Sequence, residues 1–494
     1  MATAIIGQVA VVPILLSRWS SSTYGVWLAI HALVGLLSIV NSGYQTYLLS
    51  EFLKLGRGRR KDSISLVWSS LPVAWVVSLL ELVALCLICI VFGFGYLLPE
   101  NPEPLGAGPS DISLILLAYA SMNLLLMPFG GIATRLLTVY GYFSRLTAWA
   151  ILRQLAALIV PVVFLLNGSD FLWVGLSWVA AHSLCGLFST FDLFYLMRKE
   201  QLLGYSKPNR REGWSMLLKS QLITLRESLD TMRNRGMRIL LAGAVGTSAV
   251  AVFSANRTVS NILQQGVSTI THPLLPDLMD AVVRRDQKDT EIMFAVVWSV
   301  LIFVMIPSMI VMQITIQPLF EWWTQGKIQF DPVLFSLFAL GILVFALSQP
   351  SLSILIGNNL LRAQLVLSIS AGLAALISTM LLLPVFGLIG VGIALLLGEL
   401  TAVCCCVYSC KKWMREQGLH WPTQSFAFVV ISILTASVAS FLSASLSIAW
   451  ALLGAIICIS LTFFWGFCYL RTTPLDISDI LKCAYWKKTK NSLG

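Results

Sequence analysis

Thirteen apolar runs recur along the sequence, and twelve of them hold 18 residues or more. A short first run, Thr3–Leu16, is followed by Tyr24–Leu49, Leu71–Leu97, Ile112–Ile132, Ala148–Asn167 and Phe171–Met197. A second group comprises Ala249–Leu275, Ile292–Gln317, Val333–Gly357, Gln364–Leu383, Leu388–Cys410, Ser425–Leu442 and Ile448–Leu470. A helix needs about 20 apolar residues to cross a bilayer, so these runs read as membrane spans. The composition agrees. The 494 residues are 57% hydrophobic and 11% charged, against about 25% charged in a soluble domain. A soluble chain of this size has too little interior for so much apolar side chain.

The same reading disposes of several function classes. The net charge of +10 comes from Lys and Arg in short loops, where they act as topology signals, and nucleic-acid binding is not expected. Cys86 and Cys89 lie in one apolar run, and Cys404, Cys405, Cys406 and Cys410 in another. Buried cysteine behaves as a small hydrophobe, so no redox motif or disulfide framework is expected. His31, His182 and His272 have no metal-ligand spacing, and neither metal nor cofactor is expected. The start lacks a basic n-region and reads as a short first helix rather than a secretory signal.

Between the two groups of runs stands "LITLRESLDTMRNRGMRILLAG", Leu222 to Gly243, with six charges: Arg226, Glu227, Asp230, Arg233, Arg235 and Arg238. Charge alone makes it a loop. The flanking loops argue otherwise. If residues 219–245 cross the membrane, loops 277–291, 358–363 and 411–424 and the tail from Arg471 share the cytoplasmic side and carry twelve cations, against Lys327 alone outside. In the first half, loops 50–62, 133–147 and 198–219 carry thirteen, against Arg18 outside. Without the crossing the positive-inside rule is inverted for half the chain. Fourteen spans with both termini cytoplasmic are therefore expected.

Such a span cannot face lipid. Each central Arg or Asp costs about 2.5–3.5 kcal/mol and each Leu or Ile returns only about 0.3–0.6, so six charges cost on the order of 15 kcal/mol. The helix must lie beside protein or water. At about 100° per residue, Lys219, Arg226, Asp230 and Arg233 share an arc of about 60°. Four arginines against two acids leave a surplus of two, to which Arg257 and Arg153 in neighbouring spans add. Guanidinium groups bind phosphate oxygens bidentately. The candidate substrate-binding set is Arg226, Asp230, Arg233, Arg238, Arg257 and Arg153, lining a cavity for an anion, with a diphosphate as the best match. The alternative for the same residues is a set of ion pairs locking helices together. Glu81, Glu399 and Glu227 are candidates for carrying a coupling ion, or else satisfied structural carboxylates. No catalytic residue is expected.

The halves look related. "YGVWLAIHALVGLLSIVNSGYQTYLLSEFLKLGRGRRKD" aligns with "VAVFSANRTVSNILQQGVSTITHPLLPDLMDAVVRRDQKD", and "FLWVGLSWVAAHSL" with "LIGVGIALLLGELT", which sets His182 opposite Glu399. The expected architecture is all-α and polytopic: two six-helix bundles related by an internal repeat, 1–197 and 219–410, joined by a cytoplasmic linker 198–218. Two extra helices follow at 425–470, then a basic cytoplasmic tail at 471–494. Internal repeats are a recurring plan in secondary transporters, with the binding site between them.

Three local patterns carry a resemblance: "SSTYGVW" opening the second span, "LLPVFGLIGVGIA" between the eleventh and twelfth, and "RTVSNILQQGVSTITHPLLPDL" ending the eighth with paired prolines. In their order and spacing the chain resembles the bacterial polysaccharide flippases (Wzx-type O-antigen transporters) of the multidrug/oligosaccharidyl-lipid/polysaccharide exporter superfamily. It departs from them at Asn41, where an acid is expected, and in the heavily charged seventh span. The resemblance implies no enzyme activity. It implies a flippase of the inner membrane that moves a lipid-diphosphate-linked oligosaccharide, an O-antigen or exopolysaccharide repeat unit, by alternating access. A polysaccharide polymerase and chain-length proteins are its implied partners, besides the bilayer. The alternatives are a peptidoglycan-precursor (lipid II) flippase, a multidrug/cation antiporter of the same superfamily and, more remotely, a membrane polysaccharide polymerase.

Overall fold

The computed structural model describes residues 2–91, 108–271, 275–358 and 360–445, with isolated positions between 454 and 467. The last span, the tail 471–494 and His272 thus lie essentially outside the described residues. All regular structure among the described residues is helical. The order is α1 (Ala2–Arg18), α2 (Ser21–Leu37), α3 (Ile39–Leu55), α4 (Arg60–Val91), α5 (Pro109–Val139), α6 (Phe143–Leu166), α7 (Phe171–Lys199) and α8 (Arg210–Thr231). Then come a π-helical turn (Met232–Gly236), α9 (Met237–Ala244), α10 (Thr247–Thr271), α11 (Leu275–Val283) and α12 (Gln287–Val300). A second π-helical turn (Leu301–Met305) leads to α13 (Ile306–Trp323), α14 (Pro332–Gly357), α15 (Leu361–Glu416) and α16 (Thr423–Ser445).

Seven described helices are long and apolar enough to cross a membrane, or eight if the bent pair α2–α3 is one span. The 56-residue α15 is two helices joined across a kink. It breaks at Gly387, where φ is 56° and ψ −135°. No side chain favours that backbone, which is why glycine stands there. Three residues on, a Cβ at Gly390 would collide with the Leu382 carbonyl, so the turn of "LLPVFGLIGVGIA" depends on both glycines. This is an all-α polytopic membrane protein.

The chain divides into two compact units, Met1–Ser254 with Trp323–Gln329, and Ala255–Trp322 with Phe330–Gly494. The division differs from the expected start of the second bundle at residue 219. The charged segment packs along α2, α3 and α4 and belongs to the first unit. Two glycines make that packing possible, and a third seats the start of α10. A Cβ on Gly43 would meet Thr224, one on Gly35 the Arg235 guanidinium, and one on Gly25 the backbone carbonyl of Thr247. A bare helix face lets the partner approach to backbone distance. The second span, expected as one rod, is bent by 45° at Ser38. The linker is also shorter than 198–218. Asn209 caps α8 by accepting from the Glu212 N–H at 3.3 Å.

Around the first unit's core of Tyr44, Phe52, Leu137 and Leu196, the helix ends are cross-tied. Trp68 Nε1 donates to the Gly204 carbonyl at 2.9 Å, and the Asn209 N–H to Ser69 Oγ at 3.0 Å. Tyr142 Oη donates to the Glu200 carboxylate at 2.6 Å. That bond raises the phenol's pKa above its ordinary value. At the opposite end of α1, Gln325 donates to the Pro13 carbonyl at 3.0 Å and Lys327 Nζ to the Trp19 carbonyl at 3.2 Å. Those bonds tie the short segment 323–329 to the first unit.

In the second unit, α12–α16 pack around Trp298, whose indole donates to the Leu347 carbonyl at 3.1 Å and stacks edge-on to Phe294 and Trp421. Gln287 exchanges two hydrogen bonds with the His420 backbone, at 3.1 and 2.7 Å. These join the turn after α11 to the turn after α15.

Candidate functional site

The charged segment is helical from Arg210 to Ala244, interrupted only by the π turn at Met232–Gly236. It is long enough to cross: 35 residues span about 52 Å. Arg226, Glu227, Asp230, Arg233 and Arg238 are all half-buried, as expected of charges lying beside protein rather than free in solution. The π turn adds to the helical repeat. The single 60° arc drawn for Lys219, Arg226, Asp230 and Arg233 on an unbroken α-helix therefore does not continue through Arg235 and Arg238. Arg235 crosses the Gly35 face of α2 and lies within electrostatic reach of His31 and Tyr119. Arg238 lies within reach of Tyr24 and His31, and its Nε is buried with no hydrogen-bond partner among the described residues.

Beyond these arginines is an aromatic wall. His31 sits between Trp27 and Trp178, with ring centroids 4.5 and 4.6 Å away. Its Nδ1 donates to the Trp27 carbonyl at 2.9 Å, which fixes the ring as core rather than ligand. Trp178 stacks on Tyr119 at 5.1 Å, and Tyr119 meets His182 at 5.5 Å.

His182 and Tyr119 also line a cavity of about 210 Å³ formed by α5, α6 and α7, with Gln45 reaching in from α3. Arg153 is here, anchored by its Nη2–H to Ser189 Oγ at 2.9 Å, with its Nε buried and unpartnered. The expected cavity set is therefore distributed. Arg153 belongs to this pocket, while Arg226, Asp230, Arg233 and Arg238 belong to the helix along α2–α4 and do not line it. The pocket also contains Arg135, which the sequence reading assigned to a loop. The apolar run ends at Ile132, but α5 continues to Val139. Glu227 lies within electrostatic reach of Arg135.

Arg257 and Glu399 line a smaller cavity, about 40 Å³, in the second unit, together with Asn261 and Gln264. The Arg257 guanidinium lies 5.8 Å from the Phe338 ring centroid. The internal alignment set His182 opposite Glu399, and each lines the cavity of its own unit. Glu81 faces the bend in the second span. Its carboxyl lies near the backbone of Asn41, just past the break at Ser38, and its Oε1 is buried with no hydrogen-bond partner among the described residues. Asn41 in turn donates to Ser78 Oγ at 3.0 Å and accepts from Gln45 at 3.1 Å. So the departure at Asn41 sits inside a buried neutral network. Asp192 accepts two bonds from Arg145, at 2.5 and 2.9 Å, and one from Trp149 at 2.8 Å. Among the described residues, no three His, Cys, Asp or Glu side chains assemble as a metal site.

No protein-family model matches the sequence, and no curated protein matches it. Solved structures do share its fold. The lipid II flippase MurJ, in an inward closed conformation, superposes with a TM-score of 0.67 over 95% of this chain and 97% of that one, at 12% identity. An inward-facing multidrug resistance MATE-family transporter of the MOP superfamily gives 0.62 over 83% of this chain and 94% of that one, at 13% identity. A MOP-superfamily transporter from Pyrococcus furiosus, described as having a binding pocket of reverse polarity, gives 0.53 over 84% and 93%, at 14% identity. The multi-pass helical fold seen here is thus one that these flippases and transporters also have.

Proposed function

We propose that the chain is a flippase that moves a lipid-diphosphate-linked oligosaccharide, an O-antigen or exopolysaccharide repeat unit, across the cytoplasmic membrane by alternating access. The observation that supports this reading best is the course of the charged segment. A helix bearing Arg226, Arg233, Arg235 and Arg238 runs along the glycine face of α2–α3, and the Arg238 Nε is buried without a hydrogen-bond partner among the described residues. Intramembrane arginines are costly and mark substrate pathways, and the guanidinium fork suits phosphoryl oxygens. In this reading Arg226, Arg233 and Arg238 grip the diphosphate, Asp230 orients them, and Arg153 and Arg257 contribute from their own cavities. Glu81, Glu227 and Glu399 are the carboxylates through which an ion gradient would be coupled. Both termini are placed in the cytoplasm on loop charge.

The likeness to MurJ over nearly the whole of both chains favours a second reading, lipid II as substrate. A multidrug cation antiporter fits less well, because these arginines repel a cation.

The test is expression in two bacterial hosts, one lacking its O-antigen flippase and one depleted of its lipid II flippase. Restored surface polysaccharide in the first supports the proposal, and rescue of growth in the second alone replaces it with the lipid II reading. In the host that responds, the double variant Arg226→Ala/Arg233→Ala at normal protein level is expected to abolish transport. Full activity would reject these arginines as phosphate ligands. Replacing Glu81, Glu227 and Glu399 singly by Gln identifies the coupling group as the one whose loss removes dependence on the ion gradient.

A further inference from the structure

The α5–α7 cavity, from which Arg153 contributes in the flippase reading, has features beyond that contribution. Its lining contains no Asp or Glu, yet it holds two arginines, Arg135 and Arg153. The Nε of Arg153 is buried without a partner, although burying such a donor unsatisfied costs free energy. Around the arginines are neutral donors: Gln45, Asn123, Ser189 and Thr190. An aliphatic strip, Met122, Leu126, Met127 and Leu146, adjoins them, and Tyr119, Trp149 and His182 complete the wall. Glycines keep it open. A Cβ at Gly131 would fall on the Gln45 carboxamide, and one at Gly130 would lie 3.6 Å from Thr190 Oγ1.

The cavity is a lateral cleft. α5 and α6 each pack extensively on α7 but barely on each other. Met122 and Ala150, on the facing sides of α5 and α6, both line the cavity and are exposed. The flanking surface of α6 is apolar and exposed, at Ile151, Leu152, Ile159 and Val163, as a lipid-facing helix should be.

We propose that this cleft holds an anionic glycerophospholipid. The phosphoryl group lies between Arg135 and Arg153, and an acyl chain leaves along Met122, Leu126 and Met127 through the gap between α5 and α6. Charge complementarity selects the occupant: a net positive pocket free of carboxylates, with an aliphatic exit, fits a phosphate that carries a chain. It fits a zwitterionic headgroup less well, because no carboxylate in the lining is there to pair with that group's ammonium.

The test is native mass spectrometry of the full chain, released from mixed micelles of phosphatidylglycerol and phosphatidylcholine at equal concentration. The unmodified protein is expected to retain phosphatidylglycerol in preference. Arg135→Gln/Arg153→Gln is expected to lose about tenfold in that preference. Because removing both arginines could disturb folding, Ala150→Trp provides a second arm: it closes the mouth and leaves the arginines in place. Loss of preference in Ala150→Trp supports the proposal even if the double variant fails to fold. Undiminished preference in either folded variant overturns it. So does full displacement of the lipid by millimolar inorganic phosphate, which would make the site one for free phosphate. Transport is not the readout, and Arg226, Arg233 and Arg238, which carry the flippase reading, are not varied, so failure here is distinct from failure of that reading.

Discussion

Lys327 Nζ donates to the backbone carbonyl of Trp19 at 3.2 Å. The end of α1 and the turn after α13 therefore lie at the same end of the first unit, so the chain between them crosses an even number of times. Six rods between them are long and apolar enough to cross, α2–α3, α4, α5, α6, α7 and α12–α13, which is already an even number. The charged segment and α10 therefore cross together or not at all.

The prediction is direct. In a cysteine-free background, cysteines at positions 18 and 327 are expected to react with an impermeant maleimide from the same side of the membrane. A cysteine at position 415 is expected to react only from the other side. Labelling of 18 and 327 from opposite sides would contradict the Lys327–Trp19 contact.

The glycine steps on α2–α3 are not equivalent. Gly25 faces backbone at Thr247, whereas Gly35 faces the far end of the flexible Arg235 side chain. Gly25→Val is expected to cost about 1–3 kcal/mol through overpacking, and Gly35→Ala much less, because the guanidinium can swing aside. Thermal unfolding in detergent ranks the two variants. Equal costs would contradict the assigned packing.

The Arg145–Asp192 pair joins α6 to α7, with side-chain exposures of 50% and 11%. Charge-assisted bonds to a largely buried carboxylate contribute about 1–2 kcal/mol once the half-exposure of the arginine is discounted. A double-mutant cycle with Arg145→Met and Asp192→Asn is expected to give a coupling of about 1 kcal/mol. Strict additivity would mean that the pair is decorative.

Gly387 has open space around its Cβ direction but a φ of 56°. Gly387→Ala should therefore cost about 1–2 kcal/mol from backbone conformation alone. A helix-favouring substitution there is expected to straighten α15, which a distance measured between labels at positions 370 and 405 would report as a large increase.

Much of this molecule was legible in its apolar runs because burial in lipid demands length, and length is visible in sequence. The charged helix was legible too, through the charges of its neighbours. What escaped was the identity of interior cations. Arg135 was assigned to a loop because Thr134 and Arg135 end the apolar run, yet a hydrogen-bonded helix continues to Val139. Hydropathy averages over all sides of a helix and cannot see that one side faces a cavity. The assignment of the seventh helix to the first unit depended on Gly43 and Gly35, whose meaning as contact points appears only when Thr224 and Arg235 are seen against them.

The π turn at Met232–Gly236 amounts to one residue more than the α-helical repeat needs. Removing a residue there would not simply shorten the helix. It would restore the regular repeat and turn everything downstream by about 100° relative to everything upstream. Arg235 and Arg238 would leave the faces opposite Gly35 and Tyr24, while Arg226 and Asp230 stayed put. The segment thus behaves as two independently aimed blades on one shaft, and a single codon deletion, unlike any substitution, would misalign them without removing a charge.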